Sequence, residues 1–118
     1  MTDLATSMRD RVIETLSLIA SGDAQREYQR AVPHVDVPAE LFNQWDDFYH
    51  PDDDGFRQGF RPEELEALRS FNEIIGEVVR ETPQSLPPLD EFLKSPPWRK
   101  LSDAAEDALR VVSREQTP

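Results

Sequence analysis

Apolar side chains at Leu4, Met8, Val12, Leu16 and Ile19 recur every three or four positions, and Ile13 and Ala20 widen the stripe. Successive helical residues turn by about 100°, so this spacing lays one continuous apolar face along a helix. A first helix is therefore predicted up to position 20. Gly22 then suits a left-handed helix end and Asp23 a cap for a short second helix, in which Tyr28 and Val32 lie four apart before Pro33 stops it. Residues 33–37 read as an extended connector.

A third helix is predicted over about 38–50. Pro38 is tolerated in a first turn, whose amide protons have no partner anyway, and Glu40 sits where the helix dipole favours an anion. Leu41, Phe42, Trp45, Phe48 and Tyr49 share one side, and Asn43, Asp46, Asp47 and His50 the other. Pro51 ends the element, and Asp52-Asp53-Asp54-Gly55 is predicted as a turn. Pro62 opens a longer helix, with Leu65, Leu68, Phe71, Ile74, Ile75, Val78 and Val79 forming a stripe that continues to Thr82-Pro83. Gly76 inside it costs about 1 kcal/mol relative to alanine, which close packing by another helix would offset. Pro87-Pro88 begins a short helical turn through Asp90 to Leu93, and Pro96-Pro97 breaks it. Trp98, Leu101, Ala105, Leu109 and Val112 then form the last stripe, with residues 113–118 expected to fray.

No stretch alternates apolar and polar residues as a half-buried strand would, and no internal repeat or low-complexity tract interrupts the pattern. The fold predicted is all-α: a small bundle of four or five helices with proline-bounded connections. A chain of 118 residues holds one sizeable core, so positions 1–118 are read as a single helical domain. Leu, Ile, Val and Phe make up 29 of those residues, about a quarter, which exceeds the roughly 20% below which a highly charged chain stays disordered.

Charge and cysteine usage narrow the function classes. The chain carries 24 Asp+Glu against 13 Lys+Arg, a net charge of -11, and contains no cysteine. Disulfide frameworks, zinc-thiolate sites and thiol nucleophiles are thereby excluded. Acids at Asp3, Asp10 and Glu14 contradict both a signal peptide and a transit peptide, so a cytoplasmic protein is expected. No apolar run approaches the 18 or so residues of a membrane helix, and an acidic surface is repelled by anionic lipid and by phosphate backbones. A basic protein partner fits that charge, whereas nucleic acid and membrane do not. No cofactor is implied, and the oligomeric state stays open.

The excess charge is concentrated. Residues 1–33 hold five acids and four bases, residues 34–66 ten and two, and residues 67–118 nine and seven. Acidic surfaces keep small proteins soluble, and that alone is one reading of the middle third. The other is a site for a basic partner, because three successive acids at 52–54 repel one another and bring no evident gain to a helix. Asp46, Asp47, Tyr49, His50, Asp52, Asp53, Asp54 and Phe56 are the candidate partner-binding residues. Tyr49, Phe56 and Phe60 lie at a helix end or in a loop, where an exposed aromatic beside carboxylates makes a hot spot for a cationic surface.

Catalytic and metal chemistry find less to work with. Aligned as a calcium loop, Gly55 takes the turn position and Asp52 and Asp54 fall on ligand positions, but His50 and Arg61 occupy the first and last. His50 stands one turn after Asp46, a spacing open to a metal, to a general base, or to a histidine at a helix C-terminus. A metal-dependent enzyme or sensor using Asp46, His50, Asp52 and Asp54 is the rival reading. No nucleophile elbow, phosphate-cradling glycine loop or paired-histidine zinc motif is present. A regulatory domain whose acidity only confers solubility is the third.

The segment Phe48-Tyr49-His50-Pro51-Asp52-Asp53, on a small, acidic, cysteine-free helical chain, resembles the Tyr-Tyr-Pro-x-Asp element of colicin-DNase immunity proteins. It is similar, more loosely, to the acidic immunity proteins of contact-dependent inhibition and other bacterial toxin systems. His50 replaces the second tyrosine, and the element precedes two long helices here although it lies late in the colicin family. The resemblance implies that Tyr49, Asp52 and Asp53 are toxin-contacting positions, and that the protein acts by covering a toxin without chemistry of its own.

Overall fold

A computed structural model describes residues 3–81 and 89–113, with side chains from position 7 onward except those of residues 90 and 113. The side chains of Leu4 and Asp90, together with Thr82-Pro83, Pro87-Pro88 and the segment 114–118, all used in the sequence reading, lie outside the described residues and side chains. The order of elements is α1 (Asp3–Ala20), α2 (Gly22–Ala31), α3 (Val37–Phe48), α4 (Asp54–Arg57), α5 (Pro62–Glu81), α6 (Leu89–Leu93) and α7 (Pro96–Ser113). Five of these are long and two are single turns, with no strand among the described residues. The all-α expectation holds, and the count exceeds four or five because short helices punctuate the connections.

The helices α1, α3, α5 and α7 bury most of the stripe their periodicity marks, whereas α2 buries only Gln25, and Val79 of α5 stays exposed. Val12, Leu16 and Ile19 of α1 meet Leu68, Phe71, Ile75 and Val78 of α5 and Trp98, Leu101, Ala105, Ala108 and Val112 of α7 in one core. The α7 helix packs against both α5 and α1, and α3 lies across α1. Leu41 and Trp45 of α3 complete the core from that side.

Several boundaries differ from the reading above. Gly22 is not a left-handed helix end, since no glycine among the described residues has positive φ. It is the first residue of α2, which is capped by Ser21, not Asp23: the Ser21 hydroxyl accepts from the Ala24 amide at 3.1 Å. Ser is as good a cap as Asp, and the one nearer the previous helix end wins here. The connector after α2 is a tight turn, held by the Gln29 amide donating to the carbonyls of Val32 and Val35. Asp36 caps α3, whose first turn contains Pro38.

Pro96-Pro97 ends the short helix by starting the next one. Ser95 precedes them as a cap, with its carbonyl accepting from Arg99 and its hydroxyl from the Trp98 amide. Gly76 has no helix packed upon it; an added Cβ would meet only the Arg80 guanidinium, at 3.5 Å. The close-packing explanation for that glycine is therefore set aside.

Candidate functional site

The acidic segment begins on the last turn of α3. Asp46 and Asp47 point to solvent because the opposite side of that turn carries Trp45, which is 1% exposed. The Trp45 indole N–H donates to Asn72 Oδ1 of α5 at 2.9 Å, and its ring meets Phe71 edge-on at 4.7 Å. The helix end is thus pinned to α5 by one polar and one aromatic contact. Tyr49 closes it, its amide donating to the Trp45 carbonyl and its ring stacking on the indole at 4.8 Å.

Beyond Tyr49 the chain crosses Pro51 and turns into α4. This corrects the expected turn at 52–55. Asp53 caps α4, with Oδ1 accepting from the amides of Gly55 at 2.7 Å and Phe56 at 3.3 Å. Asp54 stands in the first turn, where the dipole favours it, and pairs with Arg57 three residues on. The run of acids therefore does serve a helix, contrary to the sequence reading. Arg57 also donates to the Pro51 carbonyl at 2.7 Å, which ties the two ends of the loop together. That arginine is absent from the candidate set above, although its spacing from Asp54 is a recognisable sign of a helical ion pair.

Phe56 is the second correction. It is 0% exposed, with its ring edge-on to Tyr49 at 5.7 Å and tilted against Phe60 at 5.0 Å. Phe60 is buried as well. Neither is an exposed hot spot; both support the loop from below, because α4 packs its apolar side on α1. Tyr49 is half-buried, so its ring belongs to this support while one edge reaches the surface.

What faces solvent is Asp46, Asp47, His50, Asp52, Asp53 and Asp54. Asp46, Asp47 and Asp52 make no ion pair among the described residues, whereas Asp53 and Asp54 are engaged within α4. The His50 ring hydrogen-bonds the Asp47 carbonyl at 2.5 Å, at the end of α3. A shallow cavity of about 380 Å³ opens among Tyr49, His50, Pro51, Asp52 and Asp53. Burial pushes the Tyr49 phenol above its ordinary range, Arg69 opposes this, and Asp52, Glu66 and Glu73 add to it. At neutral pH the phenol stays protonated and can donate.

The rival metal set is not assembled. Among the described residues no three His, Asp or Glu side chains are grouped as metal ligands, so Asp46, His50, Asp52 and Asp54 do not converge on one point. No described helix is long and apolar enough to cross a membrane. Compared with known protein families, curated proteins and solved structures, the chain matches none of them.

Proposed function

We propose that the chain is a non-enzymatic protein-binding module that neutralises a basic protein partner through the ridge from Asp46 to Asp54, as an immunity protein or antitoxin of the bacterial kind would. The observation that carries this reading is the division of labour along the ridge. Tyr49, Phe56 and Phe60 hold it from beneath, Asp53 and Arg57 fix its course, and Asp46, Asp47 and Asp52 are left exposed with no cation of their own. A rigid surface with unspent charge gives fast encounter and specificity with a complementary partner, and binding that weakens as salt rises.

The test is the variant in which Asp46, Asp47, Asp52, Asp53 and Asp54 all become Asn. Asn caps a helix as well as Asp, and the Asp54–Arg57 pair is exposed and contributes little, so the melting temperature should hold or rise. Each carboxylate facing a buried Lys or Arg in the complex is worth about 2 to 5 kcal/mol, so two such pairs weaken binding about a thousandfold or more. A variant that melts like the parent and still captures the parent's basic partner equally well assigns the acids to solubility alone.

A further inference from the structure

A second cavity, of about 430 Å³, opens between α1 and α3 and takes in none of the carboxylates of the ridge. Asp10, Arg11, Glu14 and Thr15 of α1 line it together with Gln44 and Phe48 of α3. Thr15 is the unusual member. It is 1% exposed, and its Oγ1 has no hydrogen-bond partner. A threonine inside a helix can return its hydroxyl to the carbonyl three or four residues back, as the Ser17 hydroxyl does to Ile13 at 2.8 Å. Leaving a buried hydroxyl unpaired works against folding, and valine would fill the same space without that cost. A hydroxyl that the fold does not use, at the wall of a cavity, is one that a ligand can use.

The charged groups around it are equally unengaged. Elsewhere on the surface an acid three residues before an arginine pairs with it: Asp23 with Arg26, Asp54 with Arg57, Glu66 with Arg69 and Asp107 with Arg110. Arg11 has Met8 at that place and Glu14 three residues after it, the weaker order for a helical pair. Its guanidinium lies instead over the Phe48 ring, 5.4 Å from the centroid, a contact that holds the cation without using its fork of N–H donors. Asp10, Glu14 and the Gln44 carboxamide make no ion pair or side-chain hydrogen bond among the described residues. Asp10 and Glu14 stand one helical turn apart, so the two carboxylates share a side of α1.

A plain cation is repelled here by Arg11, and a plain anion by two carboxylates. A molecule that carries both charges satisfies both sets. We propose that the cavity binds a small zwitterion of the amino-acid class. Its ammonium lies between Asp10 and Glu14, its carboxylate takes the Arg11 guanidinium and the Gln44 amide, and the buried Thr15 hydroxyl donates to that carboxylate. The rise from Arg11 to Glu14 is about 4.5 Å along the helix, so a short spacer between the two charges suffices. This site involves no protein partner and stands independently of the ridge.

The probe is L-alanine, with β-alanine and γ-aminobutyrate as longer spacers, titrated into the full chain and followed by amide NMR. Propionate and ethylamine serve as controls, being alanine without its ammonium and without its carboxylate. At least one of the three zwitterions is expected to bind with a dissociation constant below about 1 mM and to shift amides within residues 10–18 and 44–48, with both controls about tenfold weaker or more. Thr15→Val, which removes the hydroxyl and keeps the shape, should melt at or above the parent temperature and yet weaken the zwitterion about tenfold. Arg11→Gln, at an exposed position, should weaken it as much and keeps the test open if Thr15→Val perturbs the fold. Zwitterions that bind no better than propionate or ethylamine, or whose affinity survives either variant, overturn the proposal and leave the Thr15 hydroxyl to a buried water.

Discussion

Arg9 of α1 and Glu64 of α5, 55 positions apart in sequence, are joined by two parallel hydrogen bonds, Nη1 to Oε1 at 2.8 Å and Nη2 to Oε2 at 3.0 Å. Glu64 is 0% exposed. The same guanidinium donates to the carbonyls of Gly59 at 3.1 Å and Val112 at 2.5 Å and lies 5.3 Å from the Phe60 ring centroid. Glu64 also accepts from the Arg61 amide at 2.8 Å, capping its own helix. One residue pair thus connects α1, the loop after α4, the start of α5 and the end of α7.

Breaking this pair from one side should cost about 3 to 5 kcal/mol, since an uncompensated charge or an unpaired carboxylate is left inside. Arg9→Met and Glu64→Leu are both expected to lower the urea midpoint markedly. Arg9→Met combined with Glu64→Leu should cost less than the two single changes added together. Strict additivity in that double-mutant cycle would show that the pair is not a coupled unit.

Asp53 is predicted to act through α4 as well as through its charge. Asp53→Ala removes the oxygen that accepts from Gly55 and Phe56 and should cost about 1 kcal/mol, while Asp53→Asn keeps the cap and costs almost nothing. Chemical denaturation of the two variants side by side makes the comparison. Equal losses would deny Asp53 its capping role.

Phe56→Ala should destabilise the fold by about 3 to 5 kcal/mol, because a side chain with no exposure leaves a cavity against α1, Tyr49 and Phe60. The loss is expected in the absence of any partner. An unchanged unfolding midpoint would return Phe56 to the surface, where the sequence reading had it.

Lys100 of α7 and Glu77 of α5 lie 2.7 Å apart, and each holds the other ionised: Glu77 sits below its ordinary range and Lys100 above it, in both cases chiefly through their hydrogen bond. A carboxylate lowered on folding stabilises above its unfolded pKa, and that contribution is lost as pH falls through the folded value. A raised lysine stabilises below its unfolded pKa and loses that contribution as pH rises through the folded one. The melting-temperature difference between the parent and Glu77→Gln should therefore be flat at neutral pH, decline below pH 4.5 and decline again above pH 10.5. Both groups are solvated, so the plateau itself is small and shrinks with salt. A difference that ignores pH would remove the ion pair as its cause.

The sequence by itself determined the helices and most of their buried faces. Val12, Leu16 and Ile19, or Leu68, Phe71, Ile75 and Val78, need only the 3.6-residue repeat to be placed on one side, and proline marks where α3, α5 and α7 start because a first turn needs no amide proton. The exposed carboxylates of the ridge were equally legible, since the apolar side of α3 fixes which way Asp46 and Asp47 point. The tertiary structure alone decided the rest. Whether Phe56 is a hot spot or a core residue depends on α1, which is some forty positions away, and no local pattern encodes that neighbour. Arg9 and Glu64 each look like ordinary polar residues of amphipathic helices until the bundle brings them together. Gly76 was visible as an anomaly, but what lies beside it, the Arg80 guanidinium in place of a packed helix, is set by the arrangement of the bundle.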